Sequence, residues 1–433
     1  MKKVLIIYPH FPPSNLAGVH RPRLFAQHLP SFGWEPIILT VAEKFYEEAP
    51  DYNLVKLLPA RLRIEKVAAM PVTKPRLVGD IGLRGFLPLY KKAKAIIKAE
   101  VIDFIYIPIP SFYGALLGRR LHATTGVPYG IDYIDPWVHV FPGSNKVLSR
   151  HWLSTQLAKF LEPIAVKKAS LITGVAAGYY KPVLERNPHL KTQAVVGAMP
   201  YGGEKADHAI VPSLSITPYL FTAEQGIFKM MYAGAMLPKA YEPLEAIFKA
   251  ISANKAAFSN VQFHFVGTGS RALDDQSYTI KPLAEKYGLY NSIVFEYPKR
   301  IPYLDVLVHL NIANGIFILG STEPHYTPSK TYQAVLSEKP LFAVLHQQST
   351  AVAIVRQSNA GVVLAFDGAA GVGTITADFI THFMAYQQFA STYNIAQVDM
   401  QLFEQYSAKN VTAALANLLD KVVPTAQPSS TQH

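Results

Sequence analysis

The sequence predicts two doubly wound α/β domains, each built on a parallel sheet, facing across a cleft. Three observations point there. At 433 residues the chain exceeds one ordinary core, and two domains of about 200 residues each are the natural division. Short apolar runs alternate with helix-period segments through both halves, the signature of βαβ units rather than hairpins. Between the two series, residues 201–226 hold Gly202, Gly203 and two prolines but few apolar runs, which suits a hinge.

The first series opens with an apolar run over 3–8 that ends at a Pro-rich turn, as a buried parallel strand does. Residues 21–32 show helical spacing, with Leu24, Phe25, His28 and Leu29 on one side, and 34–41 make a second apolar strand. Strand, loop, helix and strand at this spacing form a right-handed βαβ unit with its loop at the strand's carboxyl end. Strands follow over 104–107 and 129–133, joined by a helix over about 114–124, and 169–173 and 193–196 complete the half. The second series runs strand 229–233, helix 241–253, strand 261–266, helix 280–287 and strand 292–296. It continues with helix 303–310, strand 315–318, helix 329–336 and strands 341–344 and 361–364. A last helix over about 408–423 precedes a polar tail, 424–433, expected to be disordered.

Half the residues are apolar, 12% are aromatic and 16% are charged, which excludes disorder for nearly all of the chain. The absence of cysteine removes disulfides, thiolate zinc sites and a cysteine nucleophile together. The apolar run after Lys2-Lys3 is too short for a secretory signal, and Pro12-Pro13 follows it without a small-residue cleavage site. With no membrane span either, a cytoplasmic protein is expected, and an exported two-domain binding protein is disfavoured. Residues 1–200 carry 26 Lys+Arg against 13 Asp+Glu, net +13, whereas the rest carry 15 against 17, net −2. A basic first half implies an anionic surface or substrate on that side. Nucleic acid is not expected, since no reading motif accompanies the charge. The densest stretch, 56–98, mixes Ile81, Leu83, Phe86, Leu87, Leu89, Tyr90, Ile96 and Ile97 with lysines. It is expected to touch an anionic membrane surface, peripheral on the inner face of the cell membrane.

Five loops carry candidate chemistry. After the first strand, Gly18 lets backbone approach a ligand and Arg21 offers a charged contact at the following helix. Asp135-Pro136-Trp137 ends a later strand, where an acid can orient an acceptor hydroxyl or take its proton, with Trp137 and His139 beside it. In the second half, Gly234 and Gly267 end successive strands and Lys239 stands at the tip of the first. The segment 320–333 is the strongest signal. Thr327 suits an N-cap and Pro328 a first helical residue. The amides of Ser329, Lys330 and Thr331, with the Lys330 ammonium, then make a diphosphate cradle. His and acidic residues lack metal-ligand spacing in these loops, so neither metal nor cofactor is expected.

The order of motifs resembles the retaining glycosyltransferases of the GT-B fold, specifically the large family 4 with its glycosyl-group-1 C-terminal domain. The resemblance runs through Phe11-Pro12-Pro13 with Gly18, Leu39-Thr40, Asp135-Pro136-Trp137 and the stretch from Glu162 to Ala169. It continues through Pro200-Tyr201-Gly202-Gly203, Tyr232-Ala233-Gly234, Val266-Gly267-Thr268-Gly269, Pro328-Ser329-Lys330-Thr331-Tyr332-Gln333 and Lys339-Pro340. It implies two Rossmann-like domains. The first, 1–203, binds the acceptor and takes back the last helix, and the second, 204–407, binds a nucleotide-diphosphate sugar. It also implies transfer of the sugar to a glycan or lipid-linked acceptor. The family's two glutamates, with seven residues between them, fall here on His325 and Gln333, with Glu323 able to supply the first carboxylate. Its Gly-Arg pair is Gly234-Ala235, leaving the charge to Lys239. A nucleotide-sugar 2-epimerase and a non-catalytic scaffold share the fold and stand as alternatives.

Overall fold

The computed structural model describes residues 1–73, 78–138, 146–324 and 326–424. The chain divides into two compact units, Met1–Gly202 with the chain from Ala408, and Gly203–Ser407.

The first unit is a seven-stranded parallel sheet: β1 (Lys2–Ile7), β2 (Trp34–Val41), β3 (Arg63–Val67), β4 (Phe104–Ile109), β5 (Tyr129–Tyr133), β6 (Leu171–Gly174) and β7 (Val195–Ala198), ordered β3-β2-β1-β4-β5-β6-β7. Alternate residues of one strand feed two cores. Leu5 and Ile7 of β1 join Leu39, Ile107 and Ile131 on one face. Val4 and Ile6 join Trp34, Phe104 and Tyr106 on the other, where Val411, Leu415 and Leu419 of the helix Ala408–Val422 complete the layer. Asp420 of that helix takes Lys2 Nζ at 2.5 Å and the Trp34 indole N–H at 3.1 Å. The sequence pattern misses β3, whose Arg63-Ile64-Glu65-Lys66-Val67 breaks the apolar run. It is an edge strand, where charge discourages further pairing.

The stretch expected to meet a membrane is mostly core. In the helix Phe86–Ala99, Leu89, Ala93 and Ile96 are buried, and Phe86, Tyr90 and Ile97 pack against the same core as Ile81. Leu83 and Leu87 alone of the apolar set stay exposed, and Lys92 pairs with Glu65 at 2.7 Å. The expected apolar contact surface is therefore corrected: those side chains are spent inside. Lys74, Arg76 and Leu77 of that stretch lie outside the described residues, as does 425–433 of the tail. Among the described residues no helix is long and apolar enough to cross a membrane.

The second unit is a six-stranded parallel sheet: β8 (Phe228–Ala233), β9 (Val261–Val266), β10 (Val294–Tyr297), β11 (Gly315–Leu319), β12 (Leu341–His346) and β13 (Gly361–Phe366), ordered β10-β9-β8-β11-β12-β13. Its core is aromatic, with Tyr232, Phe263, Phe265, Phe317 and Phe342 from the strands and Phe379, Phe383 and Tyr386 from the helix Val372–Ser391. Residues 203–226 pack on this unit, and the division between the units, at Gly202/Gly203, falls within the segment 201–226. The Tyr303 hydroxyl donates to Asp207 at 2.9 Å, and the Tyr219 hydroxyl donates to Asp305 at 2.9 Å.

Candidate functional site

Where the order of a parallel sheet reverses, the two flanking connections diverge and leave a crevice outside the strands' carboxyl ends. The reversal lies between β8 and β11 in the unit Gly203–Ser407, and between β1 and β4 in the other. Most of the residues expected to be functional gather at these two places.

At the β8–β11 reversal, Gly234 turns the chain with φ +114°, a conformation open to glycine. Lys330, first residue of the helix Lys330–Leu336, lays its ammonium 3.5 Å from the Tyr232 ring centroid and beside Gly234. That ammonium is buried and, among the described residues, has no hydrogen-bond partner. Desolvation lowers its pKa to about 7. The ring face offsets part of the cost, but a buried cation without an acceptor is an unfilled requirement. An anion set against it supplies what is missing.

Lys239 stands exposed at the rim and pairs with Glu323 at 3.1 Å, while its carbonyl takes the Thr322 amide at 3.1 Å. Gln333, on the same helix as Lys330, accepts from His208 Nε2 at 2.8 Å. Burial lowers the His208 pKa, which keeps that ring neutral. Gly267, φ +72°, closes the next turn, with the backbone of Arg300 beside it. Arg300 is a residue the sequence reading passed over, having no glycine motif to flag it. Glu296 was missed too. It fixes this turn by accepting from the Thr268 hydroxyl at 2.8 Å and the amides of Ile280 and Lys281 at 3.0 and 2.6 Å.

The expected cap is corrected. The helix starts at Lys330 behind Ser329, whose side chain makes no cap bond, and the Thr327 hydroxyl is shared with Thr350 at 2.7 Å. Thr327 lies too early in the loop, because the Pro328 carbonyl takes the Thr331 amide at 3.1 Å and adds a turn first. One of the three amides expected to face a ligand is thereby spent. His325 lies outside the described residues.

In the first unit, a cavity of about 400 Å³ opens at the β1–β4 reversal, lined by Tyr8, His10, Gly18, Asp80, Arg84 and Ser111 among others. Glu48 orients His10 through Nδ1 at 3.0 Å and also accepts from the Ser14 hydroxyl. Burial works to raise the Glu48 pKa, but these partners hold it below the usual carboxylate value. Burial raises Asp80 despite its bonds from the Leu83 amide and the Ser111 hydroxyl. Tyr8 is pushed up by burial, with the charges of Asp135, Glu48 and Asp80 adding to it. Asp135 itself is exposed as a residue, yet its carboxyl is desolvated enough to be raised. A wider concavity of about 760 Å³ around Met1, Gly33 and Asp103 lies at the amino ends of these strands, the opposite end of the sheet from the β1–β4 crevice.

Three expectations for this unit change. Arg21 is buried, binding Asp132 through Nε at 2.5 Å and Nη2 at 3.1 Å and the Pro200 carbonyl at 2.9 Å, so it clamps the fold instead of facing a ligand. A Cβ at Gly18 would collide with the Tyr8 hydroxyl, so this glycine is required by the Tyr8 side chain as well as by the cavity it lines. Trp137 is buried and stacked on Phe112 with centroids 6.0 Å apart. His139 lies outside the described residues.

No family model matches the chain, and no curated protein sequence matches it significantly. Solved structures do. A glycosyltransferase from Rickettsia africae aligns over 98% of this chain and 99% of its own with TM-score 0.62 and 14% identity. HepE from Anabaena, in complex with UDP-glucose, aligns over 97% and 100% with TM-score 0.62 and 14% identity. A UDP-forming trehalose-phosphate synthase from Burkholderia xenovorans aligns over 98% and 100% with TM-score 0.62 and 13% identity. At these identities the likeness shows the fold, two parallel-sheet Rossmann-like domains of the GT-B kind.

Proposed function

We propose that the chain is a glycosyltransferase that moves a sugar from a nucleotide-diphosphate sugar to a glycan or lipid-linked acceptor. The observation that carries the reading is the buried Lys330 ammonium at the β8–β11 reversal, which lies on the Tyr232 ring face and, among the described residues, has no hydrogen-bond acceptor. A diphosphate there accepts a charge-assisted bond from Lys330, and Lys239 at the rim adds a second cation once Glu323 releases it. Gln333, whose carbonyl is held by His208, keeps its amide group for ribose hydroxyls. That HepE was solved with UDP and with UDP-glucose supports a uridine nucleotide as the first to try.

We assign the acceptor to the first unit, at Asp135 and the cavity beside it, where Tyr8 and the Glu48-held His10 offer hydroxyl-directed contacts. Transfer breaks the bond from the anomeric carbon to the diphosphate oxygen and forms one to the acceptor oxygen. We read it as the retaining, family 4 course, in which the acceptor proton leaves to the departing phosphate oxygen. The lysines neutralise the diphosphate as charge develops, which is the stabilisation such a step requires and leaves no role for a divalent metal. The place of action we infer is cell-envelope polysaccharide or glycoconjugate synthesis, on the cytoplasmic side of the membrane.

The test is a panel of nucleotide sugars and nucleoside diphosphates in thermal shift, followed by assay of nucleoside diphosphate release in excess chelator. A ligand at 100 times its Kd stabilises by about 2.7 kcal/mol, enough to see. If no nucleotide stabilises the protein, the reading of Lys330 is wrong. If chelator abolishes release, the metal-free course is.

A further inference from the structure

The helix Arg150–Val166 is apolar on two opposite faces. Thr155, Ala158, Glu162, Ala165 and Val166 are buried on one side. Leu153, Leu157, Phe160 and Ile164 are exposed by 51, 42, 68 and 41%. Their spacing of four, three and four residues sets them in one stripe, about 180° around the helix from the buried set. Val147 and Leu148, just before the helix, extend the exposed apolar surface. A stripe of large side chains in water is what a partner or a membrane covers.

Charge decides between occupants. Lys146 and Arg150 stand at one end of the stripe and Lys167 and Lys168 at the other, all exposed. Glu162 is the one acid over residues 146–168, and it is buried and paired with Arg186 at 2.8 Å. A second copy of the helix would bring like charges together, whereas an anionic bilayer meets them with opposite charge. An amphipathic helix with cations at its ends and Phe and Leu between them suits the headgroup boundary. We propose that this outer face of the helix Arg150–Val166 docks the protein on an anionic lipid bilayer. It takes the place of the 56–98 stretch as the membrane-facing surface and does not depend on which reaction the protein performs.

Flotation of the full chain with vesicles tests it, using phosphatidylcholine alone and phosphatidylcholine mixed with phosphatidylglycerol, at low and high salt. Binding is expected to the mixed vesicles at low salt and to be lost at high salt. Arg150→Glu and Lys167→Glu should each lower the partition by roughly fivefold or more. Phe160→Ser should lower it about tenfold. All three side chains point to solvent, so circular dichroism and melting should match the parent. Should Phe160→Ser misfold, the two charge reversals still decide. Equal binding to neutral vesicles, or none to anionic ones, overturns the proposal. So does a dimer in light scattering that Phe160→Ser dissociates, since that assigns the stripe to a second copy.

Discussion

Lys330 carries a charge in a place that penalises it, so its titration reports whether the site is filled. Its pKa is about 7 when folded against the ordinary 10.5, and the unfolded chain therefore holds the extra proton between those values. From this group the ligand-free protein gains stability as pH rises from about 7 toward 10.5 and bears the whole penalty below about 7. Lys330→Met should raise the melting temperature of the free protein, flatten that slope, and weaken nucleoside diphosphate binding by roughly one to two orders of magnitude. Melts across pH and titration calorimetry check this. A variant that binds as the parent does moves the phosphate subsite elsewhere. In the parent, affinity should fall as pH rises past 7, because the anion prefers the protonated lysine. Asp135→Asn belongs to the other unit and should slow transfer while leaving donor affinity unchanged; equal turnover removes Asp135 from the mechanism. Lys330 was legible in the sequence because Pro328-Ser329-Lys330 marks a helix start after a strand. Arg21 was not, since its inward turn is set by Asp132, 111 residues away.

Strands were legible where both faces of the sheet are covered, because burial on both sides leaves an unbroken apolar run, as in β4 and β12. The edge strand β3 lacks that cover and so lacks the run. The helix Arg150–Val166 was missed for the opposite reason: apolar residues on two faces blur the 3.6-residue period, and Pro163 stands inside it. Arg21 and Asp132 link the first helix to β5, and both are buried, so the pair shows in stability and not in ligand affinity. Arg21→Met should cost about 3–5 kcal/mol in chemical denaturation, since it strands a buried carboxylate. Arg21→Met with Asp132→Asn should recover much of that loss. If the single variant unfolds like the parent, the clamp contributes little. The loop after β1 is set by packing in the same way. Gly18→Ala should be destabilising, and Tyr8→Phe in addition should relieve it, because the collision is with the Tyr8 hydroxyl.

Each unit closes its own core, and the sequence order hides how. The face formed by Phe25, Trp34, Phe104 and Tyr106 is finished by Val411, Leu415 and Leu419, which arrive after the whole second unit has been threaded. The resemblance to family 4, rather than any local pattern, led to the expectation of this return. The proposed nucleotide site, in contrast, is built wholly within Gly203–Ser407. Two separate cores with one ligand site predict two unfolding transitions in calorimetry that respond to different changes. Saturating nucleoside diphosphate should raise one transition, by about 2.7 kcal/mol of stability at 100 times Kd. Leu419→Ala, which empties a fully buried position, should lower the other by about 2–5 kcal/mol. In the variant the nucleotide-shifted transition should stay where it is in the parent. If Leu419→Ala lowers that transition as much as the other, the two cores melt as one cooperative body. The final helix would then stabilise the whole chain and not the first unit alone.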